Sequence, residues 1–337
     1  MRIAIVDDRL LAVEAVRRVV TGVPGYQIAW VARDGEEAVR RATADRPDVI
    51  LMDLIMPGLN GAEATRRIMA TNPCPILIVT ATVSGNYGLV YEALGAGAVD
   101  AVNTPVLGGA GAAYGADALL AKIAQVARKA RPDGGARARP SFPCTKPAQS
   151  LPPLVAIGAS TGGPQAIASV LAQFPPGFPA AVLVVQHLTA EFSSGFAEWL
   201  GQKTRLPIRL ARAGEPPQPG TALVTGKDDH LVVTPDGTLT YTAHPTDTPF
   251  RPNVDVLFDS LAAHWPAPGA GVLLTGMGRD GAEGLLKLRR AGWPTFAQDR
   301  ESSVVFGMPD AAAKLGAAVH VMPPDQIGRM VLARLRR

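Results

Sequence analysis

The chain has 337 residues, 47% of them hydrophobic and 18% charged, with a net charge of +4. That length predicts two domains of roughly 100–200 residues each, and no run of about 18 or more apolar residues is free of charge or turn residues, so no membrane span is expected. Aromatic residues make up only 5%, and much of the positive excess gathers in one segment (Arg128, Lys129, Arg131, Arg137, Arg139 and Lys146 against Asp133), which reads as a solvated linker and not as a nucleic-acid arm.

The opening MRIAIVDDRL meets two aspartates at once, unlike a secretion signal. Cys74 and Cys144 have no close Cys or His partner at metal-ligand spacing. Both features predict a cytoplasmic protein. Strands are predicted over Arg2–Val6, Ile28–Ala32, Val49–Met52, Ile76–Val79 and Ala98–Val102. Between them, LLAVEAVRRVV and GAEATRRIMA repeat apolar residues every three to four positions, as helices do. A last helix over about 116–130 completes five βα units, a parallel sheet with helices on both faces.

Carboxylates mark the ends of two of these strands. Asp7 and Asp8 follow the first, Asp53 follows the third, and Thr80 ends the fourth. In an open parallel sheet the ligand crevice lies outside the carboxyl ends of the strands. Three carboxylates meeting there repel one another unless a hard cation such as Mg²⁺ accepts their oxygens. Asp53 could then attack a phosphoryl donor, with the Thr80 hydroxyl on a phosphoryl oxygen. Paired aspartates can also simply cap a helix. Finding DD, D and T at three strand ends of one unit favours the acceptor reading.

This half resembles the receiver domain of bacterial response regulators over nearly all of residues 1–105, including LMDLIMPGLNG around Asp53. The resemblance implies a flavodoxin-like (βα)5 fold over residues 1–130 and phosphorylation at Asp53. It also implies Mg²⁺ on Asp7, Asp8 and Asp53, and a histidine kinase as phosphodonor. Two positions depart from the pattern: Thr104 stands where receivers usually carry a lysine, and Ala101 where they carry an aromatic switch residue. A missing lysine removes a fixed cation that would pair with the phosphate.

Residues 131–152, rich in Pro, Gly, Ser and Arg without periodicity, are expected as a linker. A second series starts at Leu154 and defines a domain over 153–337. LVAIGA, AAVLVVQH, GVLLTGMG and AVHVM read as buried strands, each followed by a helical stretch. HLVVTPDGTLTYTA interrupts them as a hairpin turning at Pro235-Asp236-Gly237. A doubly wound α/β domain with a β-hairpin insertion is expected.

Gly158-Ala159-Ser160-Thr161-Gly162 is a G-x-S-x-G sequence between a strand and a helix, the context of a nucleophile elbow. Gly-rich turns after a first strand also bind phosphate, so the motif alone leaves both readings open. A serine nucleophile needs a base and a group to orient that base. His187 closes the next strand, and Asp280 follows Thr275-Gly276-Met277-Gly278-Arg279 at another strand-to-helix junction. An isolated His at a strand end is commonly structural, and an Asp before a helix commonly a cap. The other candidate bases, His230, His244, His264 and His320, fall in the hairpin, a loop, a helix and a late strand.

Taken together, IGASTGGPQAI, VVQHL, RPNVDVLF, LLTGMGRDGAEGL and FGMP, in that order over residues 154–323, resemble the chemotaxis protein-glutamate methylesterase family. The resemblance implies a phosphorylation-regulated hydrolase that removes γ-methyl esters from glutamates on chemoreceptor cytoplasmic helices, and that deamidates receptor glutamines. It assigns Ser160 as nucleophile, His187 as base and Asp280 as the orienting group. Met277 is then a backbone donor to the oxyanion, and Thr161 helps to position the base. No cofactor is expected for the ester chemistry. The unphosphorylated receiver is expected to cover the active site. The family's usual His before the Arg-Pro pair is Phe250 here, a difference expected to be peripheral. AVNTPVLG at 101–108 and the first eighteen residues are most similar to methylesterases of Wsp-type systems, which control a diguanylate cyclase.

Overall fold

Aliphatic runs too short for a helix and covered on both faces become parallel strands in both halves of the chain. The computed structural model describes residues 1–337 apart from 84, 108–112, 130–150, 249 and 336–337. The chain divides into two units, Met1–Pro132 and Asp133–Arg337. Residues 131–150 of the expected linker, Cys144 among them, lie outside the described residues. No described helix is long and apolar enough to cross a membrane.

In the first unit β1 (Arg2–Val6), β2 (Gln27–Ala32), β3 (Val49–Met52), β4 (Ile76–Thr80) and β5 (Asp100–Asn103) form one sheet in the order β2-β1-β3-β4-β5. Every pairing is parallel. The helices α1 (Leu10–Thr21), α2 (Gly35–Ala44), α3 (Gly61–Thr71), α4 (Tyr87–Ala96) and α5 (Ala116–Lys129) supply the crossovers. The α1 helix buries Val13, Val16, Val19 and Val20, the helical spacing read from sequence. Asn60 caps α3 by accepting from Glu63 N–H at 2.9 Å, which fixes the loop after Asp53. Strand β5 starts two residues later than expected, because Ala98 and Val99 lead out of a left-handed Gly97 that closes α4. A short antiparallel pair, β6 (Val106–Leu107) with β7 (Ala113–Tyr114), precedes α5 and was not anticipated.

The second unit is built on β8 (Leu154–Ala159), β9 (Ala181–Gln186), β10 (Ile208–Leu210), β11 (Ala222–Val224), β14 (Gly269–Leu273), β15 (Thr295–Gln298) and β16 (His320–Met322). These lie in the order β10-β11-β9-β8-β14-β15-β16, all parallel. Helices α6 (Gly163–Leu171), α7 (Ala190–Lys203), α8 (Val254–His264), α9 (Ala282–Arg290), α10 (Met308–Lys314) and α11 (Pro324–Leu335) connect and cover them. The expected hairpin is present as β12 (His230–Val233) and β13 (Leu239–Thr242), and Val233 N–H donates to Ser260 Oγ of α8 at 3.0 Å. Strands β10, β11 and β15 are additions to the sequence reading.

This sheet grows outward from β8 in both directions, with β9 on one side and β14 on the other. The reversal leaves a crevice at the carboxyl ends of β8 and β14, the usual position for a site in such a sheet. The strand expected through GVLLTGMG stops at Leu273. Past it, Leu274 N–H still donates to Gly158 O at 2.9 Å, while Gly276 donates to Val305 O at 3.0 Å and accepts from Gly307 and Met308, so from Gly276 on the chain turns from β8 toward residues 305–308.

Candidate active site

Ser160 follows β8 at this crevice. Its backbone N–H donates to Thr275 O at 3.0 Å, and its carbonyl accepts from Gly163 N–H at 2.8 Å and from Gln186 Nε2 at 2.8 Å. Three fixed bonds therefore hold a sharp strand-to-helix turn. Gly162 adopts φ +79°, and a Cβ there would lie 2.7 Å from Val304 Cβ, so only glycine fits. Opposite the serine, a Cβ on Gly276 would meet Ser160 Cβ at 2.8 Å, so the two backbones approach closely. The serine is 6% exposed, and among the described residues its hydroxyl takes no hydrogen bond.

The pair Ala159↔Gln186 is the last register match of β8 with β9. Ser160 and His187 are the next residue on each strand, and neighbouring parallel strands run about 4.8 Å apart. His187 Nε2 lies 2.7 Å from Asp280 Oδ2. Its other nitrogen, Nδ1, is buried without a hydrogen-bond partner. Asp280 also accepts from Val254 N–H at 2.8 Å and Asp255 N–H at 3.0 Å, the first turn of α8. Burial alone would raise the Asp280 carboxyl, but the His187 bond, the His187 charge and the two amides outweigh it and hold the group below the usual carboxylate range. The positive end of the helix acts in the same direction. An ionised Asp280 can only accept, so Nε2–H donates to it, and in the neutral imidazole Nδ1 presents a lone pair.

Met277 is half-buried beside Gly276, and among the described residues its backbone N–H makes no hydrogen bond. Thr161 is buried, and its carbonyl accepts from Thr275 Oγ1 at 3.0 Å. No hydrogen bond joins Thr161 directly to His187 among the described residues. Two of the other histidines are engaged elsewhere: His230 Nε2 lies 3.0 Å from Pro245 O, with burial pushing it below the usual range, and His320 pairs with Arg334.

In the first unit, Asp7, Asp8 and Asp53 bring carboxylate oxygens within 4.8 Å of one another. Burial first, and the Asp7 charge second, push Asp53 up to about 6, and burial also raises Asp7. Asp53 Oδ1 is buried with no hydrogen-bond partner. Hard carboxylate oxygens with one acceptor unused fit Mg²⁺, and these three residues would hold it. Arg9 reaches the same cluster, 3.3 Å from each oxygen of Asp7 and 3.7 Å from Asp53 Oδ2. Thr80 is buried at the end of β4, its carbonyl bonded to Thr104 N–H at 2.9 Å.

Comparison with known proteins decides the family. Residues 155–331 match CheB methylesterase, and residues 3–108 match the response regulator receiver domain. The chain belongs to the CheB methylesterase family. A protein-glutamate methylesterase/protein-glutamine glutaminase 3 of Burkholderia orbicola is 51% identical over 336 residues, which covers 99% of this chain and 98% of that relative. A protein-glutamate methylesterase/protein-glutamine glutaminase 1 of Burkholderia lata is 51% identical over 337 residues, with 100% of both chains covered. The crystal structure of the Thermotoga maritima CheB methylesterase catalytic domain aligns with a TM-score of 0.52 at 32% identity, covering 55% of this chain and 100% of that one.

Within this CheB-family site, Phe250 corrects the sequence reading. It stacks on the His187 ring with centroids 4.2 Å apart and planes 9° apart, so the difference falls on the imidazole itself and not at the periphery. Residues that sequence reasoning passed over hold the frame together. Gln186 clamps the elbow, and Gln298 Oε1 accepts from Thr275 N–H at 2.8 Å. Both are polar residues closing buried strands, and that position was the available signal. Asp255 accepts from Gly284 N–H at 2.6 Å and ties α8 to α9 beside Asp280.

Proposed function

We propose that this protein hydrolyses γ-methyl esters of glutamate on methyl-accepting receptors, with Ser160 as nucleophile, His187 as base and Asp280 as the orienting group. One observation carries the reading: an imidazole bonded to a carboxylate through Nε2, with Nδ1 buried and unbonded one strand away from Ser160. Ser160 Oγ attacks the γ-carbonyl carbon and its proton passes to Nδ1. The Met277 N–H faces the developing oxyanion, a donor of a kind whose loss costs about 10²–10³ in rate. The imidazolium then protonates the departing methoxide, leaving a glutamyl ester on Ser160. Water attacks that ester, gives its proton to Nδ1, and the serine departs with that proton. The balance is ester plus water to acid plus methanol.

A primary amide must expel ammonia, a poorer leaving group than methanol, so glutamine deamidation by the same residues is a slower second activity. The names of the Burkholderia relatives, which pair both activities, support this. In the receiver, Asp53 accepts a phosphoryl group from a histidine kinase, and phosphorylation regulates the esterase. Mg²⁺ bound to Asp7, Asp8 and Asp53 supplies positive charge for the entering phosphoryl group. The Wsp-type assignment rests on the sequence of the N-terminal residues and of 101–108, and it predicts that deletion changes cyclic diguanylate levels without changing swimming bias.

The test is methanol release from methylated receptor by the full chain. Ser160→Ala should lower it by at least about 10³. Unchanged release in that variant would end the assignment.

A further inference from the structure

A cation is already present at the acceptor carboxylate, and no motif in the sequence pointed to it. The Arg9 guanidinium spans Asp7 and Asp53, whose side chains are 5% and 2% exposed, while its own side chain stays 46% exposed. Its root is fixed, because Arg9 N–H donates to Asp7 Oδ1 at 2.9 Å and α1 starts at the next residue. Its head is held at 3.3 Å and 3.7 Å, longer than tight charge-assisted bonds, and is therefore free to re-aim.

Among the described residues, no ion pair reaches Asp53 from its other side. The order β1-β3-β4-β5 places Arg9, after β1, on one side of Asp53 and Thr104, after β5, on the other. Thr104 offers only a hydroxyl, and both Thr104 Oγ1 and Asp53 Oδ1 are buried without partners. A phosphoryl group on Asp53 brings about −1.5 to −2 of charge. Among the described residues, Arg9 is the cation paired with Asp53.

We propose that Arg9 is the positioning cation for the phosphoryl group on Asp53, taking the role that a side chain at position 104 cannot fill. This rests on Asp53 being the phospho-acceptor. In the transfer, an Asp53 carboxylate oxygen forms the new bond to phosphorus as the donor's bond to phosphorus breaks, and the donor keeps that electron pair. The guanidinium turns from the carboxylates to two phosphoryl oxygens, a planar fork matched to that geometry. It gives up no proton.

The experiment uses the full-length protein with saturating Mg²⁺ and radiolabelled acetyl phosphate, reading the rate and lifetime of aspartyl phosphate and not ester hydrolysis. Arg9→Ser should take label about ten- to a hundredfold more slowly than wild type, the range expected for losing a charged hydrogen-bond pair. Arg9→Lys should fall between them, since it keeps the charge without the fork. Adding Thr104→Lys to Arg9→Ser should recover most of the rate by supplying a cation from the other side. Wild-type labelling and lifetime in Arg9→Ser would overturn the inference alone. A double variant as slow as Arg9→Ser would overturn it too, because the defect would then not be a missing charge. A wild-type chain that takes no label, like an Asp53→Ala control, would overturn the acceptor reading and this inference together.

Discussion

Two carboxylates buried at the rims of two parallel sheets end in opposite electrostatic states. Asp280 is met by two backbone amides, a helix N-terminus and an imidazole, and is held ionised. Asp53 sits against another carboxylate with one oxygen unpartnered, and is pushed up to about 6. Burial is common to both, so neighbours make the difference. A carboxylate completed by its own fold can hold an imidazole still. One left incomplete is suited to receiving charge from outside, first a cation and then a phosphoryl group.

The strongest way to break this comparison is Asp280→Asn. The amide still fills the space, but its NH₂ group would face groups that donate. A loss of about 10³–10⁴ in kcat for methanol release is expected, the scale seen when a triad carboxylate is made neutral. A loss below about tenfold would show that Asp280 is not what fixes the imidazole.

The mirror substitution, Asp53→Asn, should stabilise the protein in metal-free buffer. The folded-state value of Asp53 lies above its ordinary one, so the native state holds the proton more tightly than the unfolded chain. Wild-type stability should therefore fall as pH rises from about 4 through about 6, and the full penalty applies at pH near 7.5. The gain from the amide there is at most about 3 kcal/mol, reduced by the lost Arg9 contact, and it should shrink toward pH 5. Calorimetry of the full chain, following the transition that Mg²⁺ shifts, reads this directly. Equal stability of wild type and variant at pH near 7.5 would mean that Asp53 is not strained.

The smallest effect sharpens the Asp280 side. Phe250→Ala removes a stacked ring worth about 0.5–1.5 kcal/mol, so kcat should fall about two- to tenfold with KM little changed. A change confined to KM would place Phe250 against the substrate and not behind the base.

The parallel architecture was legible because strands covered on both faces read as unbroken aliphatic runs, as LVAIGA and AVLVVQ do. Strands β10 and β11 escaped because three residues are too few to set a period. Strand β15 escaped because TFAQ is half polar, although Thr295 is satisfied by Ala317 O at 2.6 Å and Gln298 by Thr275 N–H. Ser160 and His187 were readable since each stands just past a strand end, and Asp280 since it closes a strand-to-helix connection, where such sheets place their sites. Phe250 lies in a stretch without periodicity, and nothing in its local sequence points to His187. Arg9 was silent for a related reason: a cation's partner is a fact of the folded crevice, not of spacing along the chain.

The position of β14 has a consequence for how the protein is made. Ser160 and His187 follow consecutive strands, but β14 slots in beside β8 only after Leu273 has left the ribosome, and Asp280 follows it. A nascent chain therefore carries the serine and the imidazole well before the group that aligns them. On the proposed roles, a chain that ends before residue 280 should cleave esters far more slowly than the finished protein.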